Sequence, residues 1–440
     1  MPSQNYTVTK TTGWFERLGN SFGGIIFGIV LFIVGSILLW WNEGNFVKTQ
    51  VALNEAQGVT QELGDITQTD SANNGKLVHA TGTATTEDIL KDPDFDISTN
   101  ALRLERAVEY YQWIEDSKTE TRQKLGGGEE KITTYIYRKD WVTSPVDSAR
   151  FAAPNASTEH QNSIIANIKK FDVQAVNVNF GAYRLPKFLI DSISGSEPLS
   201  VKLSDEVITK LTQQIAPSAA LPVLPASAPD KPAQGLLPFD EEKKDEQSVV
   251  SAVAAPPSSV VHVSGGTVYL GQTPAQPAVG DVRVTFKQTK SRNEVSLVAK
   301  LNGDTFEQFV AKNGRNISML NMGTVSAENM FASAHASNTM LTWILRLVGV
   351  CLVCFGIALI LAPLEVLASV IPFVGKIVGI GTGLFSMFFG TAWSLLIIAT
   401  AWLFYRPLIG IILLAAAALL IAALYSKRRV GKDGKDTNAG

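Results

Sequence analysis

Only two cysteines occur in 440 residues, and both, Cys351 and Cys354, lie inside an apolar run. No disulfide framework can staple the polar part of the chain, which must be held by a core of its own. A CxxC that works in redox or metal chemistry needs water and a polar or positive surround. On one face of an apolar helix the pair reads as packing. Histidine is almost as scarce: His79, His160, His262 and His335 show no HxH or HxxxH spacing and no Cys/His cluster. No zinc site or cofactor is expected. Basic charge is not in excess either. The formal net charge is −2, which argues against a nucleic-acid partner. P-loop and GxSxG motifs are missing, and the glycines of "GKIVGIGTG" (375–383) sit in an apolar stretch, where small residues let helices approach.

What the chain does have is apolar residues in two places, 22–41 and 341–425. Phe22–Trp41 carries no charge and is long enough to cross a hydrocarbon core of ~30 Å once. Lys10 and Arg17 precede it, and no small-residue cleavage site follows, so it reads as an uncleaved signal anchor with residues 1–21 in the cytoplasm. Trp40 and Trp41 are placed at the far interface, and Gly44 is expected to end the helix. A second crossing is predicted over 341–361, with Arg346 snorkelling near its start and Pro363 ending it. Residues 362–376, with Glu365, Pro372 and Lys376, read as an interfacial connector. Residues 377–425 would run ~75 Å as one helix, more than twice the hydrocarbon thickness. Two crossings, 377–403 and 408–425, fit, with a tight turn at 404–407. Trp402, Tyr405, Arg406 and Pro407 are then membrane-interface residues. Four crossings put both termini on one side. The tail at 426–440, "SKRRVGKDGK" within it, makes that side the cytoplasm and residues 42–340 extracytoplasmic.

The region 42–340 is dominated by short alternating runs. "KLVHATGTA" (76–84), "RLERAVEYYQWIED" (103–116), "KITTYIYRKDWV" (131–142), "GDVRVTFKQT" (280–289) and "NEVSLVAKL" (293–301) predict strands. Residues 185–193 and 204–215, the latter with Ser204 as N-cap, predict helices. The fold class is a multi-pass α-helical membrane protein of four transmembrane helices with a large α+β domain, mainly of antiparallel strands. Residues 216–260 are rich in Pro and Ala and include "DEEKKDE", a composition expected of a flexible insert. "LVHATG" (77–82) and "VVHVSG" (260–265) echo each other, more readily as two hairpin starts than as a duplication. "DPDFD" (92–96) begins like an EF-hand loop but has Ile97 where glycine is needed and Arg103 where glutamate is needed. It reads as a surface acidic turn.

Six segments carry a resemblance: "NEG" (42–44), "GKLVH" (75–79), "LRLERAVEYYQW" (102–113), "VGDVRVTF" (279–286), "SNTMLTW" (337–343) and "WLFYRPL" (402–408). In this order the chain resembles the TMEM43 (LUMA) family over nearly its whole length. The resemblance implies membrane helices at both ends of a large lumenal domain and a non-enzymatic role. Animal members belong to the endoplasmic reticulum and inner nuclear membrane, self-associate and bind other envelope proteins. The Pro/Ala-rich 216–260 departs from the animal pattern and favours a bacterial inner-membrane protein with a periplasmic domain. The Asn155 and Asn316 sequons matter only in a eukaryotic lumen.

The expectation is a membrane scaffold that forms homo-oligomers or binds envelope proteins. Tyr110, Tyr111, Trp113 and Trp141 are its candidate partner contacts, at least half of them buried. A hydrolase of envelope lipid or polymer working through Asp92, Glu105, Glu109 or Asp140 is one alternative, and needs two of them together in a cleft. A transporter component is another, disfavoured because the central parts of the crossings offer only Ser and Thr.

Overall fold

Three helices carry the apolar runs in a computed structural model that describes residues 5–154, 156–215 and 260–407. The predicted insert (all but residue 260), the fourth crossing at 408–425, the basic tail and the Asn155 sequon lie outside the described residues. Helix α1 spans Trp14–Val59, and each of the three helices is long and apolar enough to cross a membrane. Gly44, expected to end α1, lies inside it. The helix runs on because Ala52, Leu53 and Ala56 pack into a core with Leu77 and Val298 of the sheet domain and Phe331 at the start of the second apolar helix. Pro363, expected to end the second apolar helix, lies inside that helix too, which covers Ala327–Ala368 and is called α3 below. A transmembrane-type helix tolerates such a proline where neighbouring helices hold it, and Pro363 and Val366 are both buried. The predicted connector at 362–376 is therefore the end of α3, a turn at Ser369–Ile371, and the start of a further helix, Pro372–Tyr405 (α4). That helix stops at the predicted break, with Arg406 as its C-cap.

The bundle is held at close range by small residues. A Cβ added to Gly28 would stand 2.6 Å from the carbonyl oxygen of Gly356, and one on Gly356 2.7 Å from that of Gly28. Backbones of α1 and α3 thus touch with no side chain between them. Cys354 of α3 packs as closely on Gly390 of α4, its Sγ 2.7 Å from where a Cβ on that glycine would stand. Trp393 of α4 donates its indole N–H to the Ser36 hydroxyl at 3.1 Å and lies against Phe32.

The domain has a nine-stranded and a seven-stranded sheet. Strands β1 (Asn5–Thr12), β2 (Leu77–Thr86), β3 (Ile97–Gln123), β4 (Glu129–Val142), β5 (Val282–Lys290) and β6 (Arg292–Asn302) are the long ones. In the first sheet β3 is central, pairing antiparallel with β5 from Ala101 to Tyr110 and with β4 from Tyr110 to Gln123. The second sheet is built on the antiparallel pair β2–β6. The inward face of β3 follows a period of two, with Leu102, Leu104, Arg106, Val108, Tyr110 and Gln112 all buried. Helix α2 (Asp205–Gln214) covers the first sheet with Val207 and Leu211, and Ser204 caps it as predicted. The helix predicted at 185–193 is a single turn, Lys187–Ile190.

One part of the sheet differs from the expected plan. Residues 5–12, predicted as part of a tail apart from the domain, are β1, paired antiparallel with β4 from Asn5↔Ile136 to Thr12↔Glu129. Beyond the domain, β1, β4 and the second half of β3 continue as a three-stranded ribbon. Its tip is fixed to the other end of the helix bundle. Gly126 donates its N–H to Val370 O at 3.1 Å, Arg17 donates to Gly127 O at 2.6 Å, and Arg17 pairs with Glu129 at 3.2 Å. The Trp14 ring covers Gly127, whose φ of +79° suits glycine. A strand from 111 to 123 reaches ~40 Å, about the length of α1 from Arg17 to Glu43. The ribbon therefore runs the height of the bundle.

Candidate functional site at the domain end of the bundle

Asn42, Glu43 and Gly44 occupy about one turn of α1, and all three are buried. Glu43 has 1% of its side-chain surface exposed and accepts three charge-assisted or indole hydrogen bonds. Arg346 of α3 donates from Nε to Oε1 at 2.6 Å and from Nη2 to Oε2 at 2.8 Å, and Trp402 of α4 donates from Nε1 to Oε2 at 2.8 Å. One carboxylate thus ties all three helices together. Arg346, expected to snorkel toward water, is instead 14% exposed and stacked 4.8 Å over Trp343. It turns inward because Glu43 stands opposite on an antiparallel helix.

Around this pair the polar groups are matched. Asn42 donates to Thr342 O at 3.1 Å, Asn338 to Phe46 O at 3.2 Å, and the Thr342 hydroxyl to Asn338 O at 2.8 Å. Gly44 is required by Tyr405, since an added Cβ would stand 2.5 Å from the ring's Cζ. Arg406 lies 5.1 Å over both Phe46 and Trp402. Beside it is a cavity of about 570 Å³ lined by residues including Phe46, Gln50, Trp343, Trp402, Tyr405 and Arg406.

The segments "NEG", "SNTMLTW" and "WLFYRPL" converge on this place. Of the predicted interface residues, Trp402, Tyr405 and Arg406 are in the cluster, and Trp40 joins through Phe404 and Tyr405 at 5.6 and 6.0 Å. Trp41 points away and is 55% exposed, and Pro407 is exposed beyond the helix cap. Glu43, Asn338, Thr342 and Arg346 join the site without a local sequence pattern that marks them as its members. The signal was available: an acid just after one apolar run and an arginine just inside the next meet when the helices are antiparallel.

The aromatic residues proposed as partner contacts are spread along β3 and β4. Tyr110 is core, buried, with its hydroxyl donating to Ile168 O. Tyr111 and Trp141 stack at 5.3 Å with Arg283 over Trp141, and Trp113 packs on His160 at 4.4 Å under Lys139; these three are half-buried.

The carboxylates of the hydrolase alternative do not meet in a cleft. Asp92 is bound by Arg106 Nη1 at 2.7 and 2.8 Å, Glu105 by Arg103, Glu109 by Arg283, and Asp140 by Arg138. "DPDFD" is not a wholly surface turn, for Asp92 is fully buried while Asp94 and Asp96 stay exposed. Among the described residues no group of three or more His, Cys, Asp or Glu converges as a metal site would require. The echoing segments fall in different sheets. His79 is buried between Glu62 and Val325 O, whereas His262 lies on an edge strand. Elsewhere in the domain, burial raises the carboxyl pKa of Asp281, which accepts hydrogen bonds from the Tyr269 hydroxyl and from Ala278 N at 2.7 Å.

A family model described as Transmembrane protein 43 matches residues 110–407. Human Transmembrane protein 43 is 28% identical over 434 residues, 96% of this chain and 94% of the human protein. The rat protein of that name is 28% identical over 428 residues, 94% of this chain and 93% of its own length. A Transmembrane protein 43 homolog of Drosophila melanogaster is 26% identical over 411 residues, covering 92% and 94%. No solved structure matches the chain.

Proposed function

The chain belongs to the transmembrane protein 43 family, and from that premise we propose that this integral membrane protein is a non-enzymatic scaffold that assembles with copies of itself. The supporting observation is the ribbon. It joins the two ends of the bundle, so a hydrocarbon slab that holds Phe22–Trp41 also holds the ribbon. Lys118, Glu120 and Arg122 project from it, 53–75% exposed. The outer edge of β1, and that of β3 beyond Trp113, pair with no strand among the described residues. Lipid cannot satisfy open sheet edges or exposed charges. Neighbouring copies can, if the β1 edge of one meets the β3 edge of the next around a ring.

Separate neutralisation of Asp92, Glu105, Glu109 and Asp140 by arginines supports a role without hydrolysis. In this reading residues 408–425 cross a fourth time, and the end bearing Lys10, Arg17 and Lys376 faces the cytoplasm. The sheet domain then lies in the periplasm of a bacterium, the Pro/Ala-rich 216–260 favouring that source, or in the endoplasmic reticulum or nuclear-envelope lumen of a eukaryote, where it meets envelope proteins. The same ribbon favours a second reading, a water-filled passage, because closed ribbons would line one with polar groups at mid-depth.

Native mass in nanodiscs over a range of concentrations tests the first reading. A fixed multiple of 47.5 kDa, unchanged on dilution, is expected. A monomer at every concentration overturns it. Conductance across a planar bilayer decides the second reading, which fails if none is seen with the oligomer present.

A further inference from the structure

We propose that the cavity between α1, α3 and the end of α4 holds the headgroup of an anionic phospholipid, with Arg406 as the cation for its phosphate. Charge is the first argument. The cluster contains Glu43, Arg346 and Arg406, and the bidentate pair leaves Arg406 as one net positive charge. Among the described residues Arg406 has no carboxylate partner, and its Cζ lies 5.1 Å from the ring centres of Phe46 and Trp402. Its guanidinium donates no hydrogen bond to any described residue, and a phosphate fits that fork of N–H groups.

The second argument is what surrounds the charge. The cavity is walled by Phe46, Trp343, Trp402 and Tyr405, aromatic residues of the type that stand at headgroup depth. Next to it, Trp343, Leu347 and Phe404 are 64%, 67% and 67% exposed and offer apolar surface to acyl chains. Free phosphate gains nothing from that surface, and a choline headgroup brings no net negative charge to match Arg406. Gln50 also lines the cavity, and its carboxamide oxygen is buried without a hydrogen-bond partner in the structure. A headgroup hydroxyl supplies the missing donor after a small turn of that amide. Phosphatidylglycerol carries both groups and is the probe of choice.

The test is native mass spectrometry of the full chain in detergent, with phosphatidylglycerol and phosphatidylcholine of equal chain length added in equal amounts. Occupancy per protomer should favour phosphatidylglycerol about tenfold, the ratio that ~1.4 kcal/mol of charge-assisted hydrogen bonding gives. Arg406→Gln should bring the two lipids level, and Arg406→Lys should keep a reduced preference. Equal occupancy in the wild-type chain overturns the proposal, as does an Arg406→Gln protein that keeps the preference. Displacement of phosphatidylglycerol by millimolar inorganic phosphate would make this a free-anion site and overturn the lipid source. If Arg406→Gln does not fold, the wild-type ratio and the phosphate competition decide alone. None of these readouts depends on oligomer size.

Discussion

Glu43 is where a single side chain has the largest predicted effect. Its carboxylate is almost fully buried and neutralises Arg346. Removing one member of such a pair leaves the other charge in a low-dielectric site, at a cost of about 3–5 kcal/mol. Glu43→Gln should therefore lower the thermal midpoint of the purified protein sharply. Adding Arg346→Met should restore most of it, since the pair can be replaced far more cheaply than broken. Unfolding of Glu43→Gln at the wild-type midpoint would show that the pair does not hold the bundle. Asp281 gives a prediction of opposite character. Its folded-state pKa is raised, chiefly by burial, so between its unfolded and folded values the folded chain binds more protons. Its contribution is fully present below the unfolded value near 3.8 and is lost as pH rises through the folded value. The midpoint of wild type relative to Asp281→Asn should accordingly fall between pH 4 and pH 7, as read by thermal unfolding at both. A relative midpoint that rises over that interval would contradict the raised pKa.

At the scale of elements, the contact between α1 and α3 is made by glycines, which predicts a position-specific response. In Gly356→Leu the new Cβ would press on Gly28 O and Phe32 N, both at 2.7 Å, and backbone cannot yield as a side chain can. Overpacking of this kind costs about 1–3 kcal/mol or more. A Cβ at Gly381 on α4 meets nothing within 4 Å, and Gly381→Leu should leave the midpoint unchanged. Equal effects of the two substitutions would refute close α1–α3 packing. The long strands were legible because their faces differ. Leu102 to Gln112 alternate against a solvated side, and a period of two needs no partner to be recognised. Where α1 and α3 end was not. Gly44 and Pro363 are terminators by local rule, but α1 and α3 continue because tertiary packing on Leu53, Ala56 and Val366 outweighs that preference. The cluster around Glu43 was half legible. Trp402, Tyr405 and Arg406 follow from interface composition, whereas their joining to Glu43 and Arg346 depends on helix pairing that no local pattern reveals.

At the scale of the whole molecule, β1 carries the most weight for its length. "NYTVTKTT" reads as a polar tail because its partner, β4, lies more than a hundred residues away and neither strand buries a face against a core. Once paired, it turns a two-stranded hairpin, marginal by itself in water, into a three-stranded ribbon, and it moves the free edge from β4 to the chain's own N-terminus. Deleting residues 1–12 would uncover β4 and change the edge offered to a neighbouring copy. Trp14 and Arg17 would remain to hold the hairpin tip. Two consequences then separate. If copies join through the ribbon, the truncated chain should fall to smaller or dilution-sensitive assemblies by native mass, with the Glu43–Arg346 bundle still folded by thermal midpoint. Assemblies of unchanged size would move the self-contact off the ribbon and onto the lipid-facing helices or the domain surface. Charged strands at bundle height would then need another source of water.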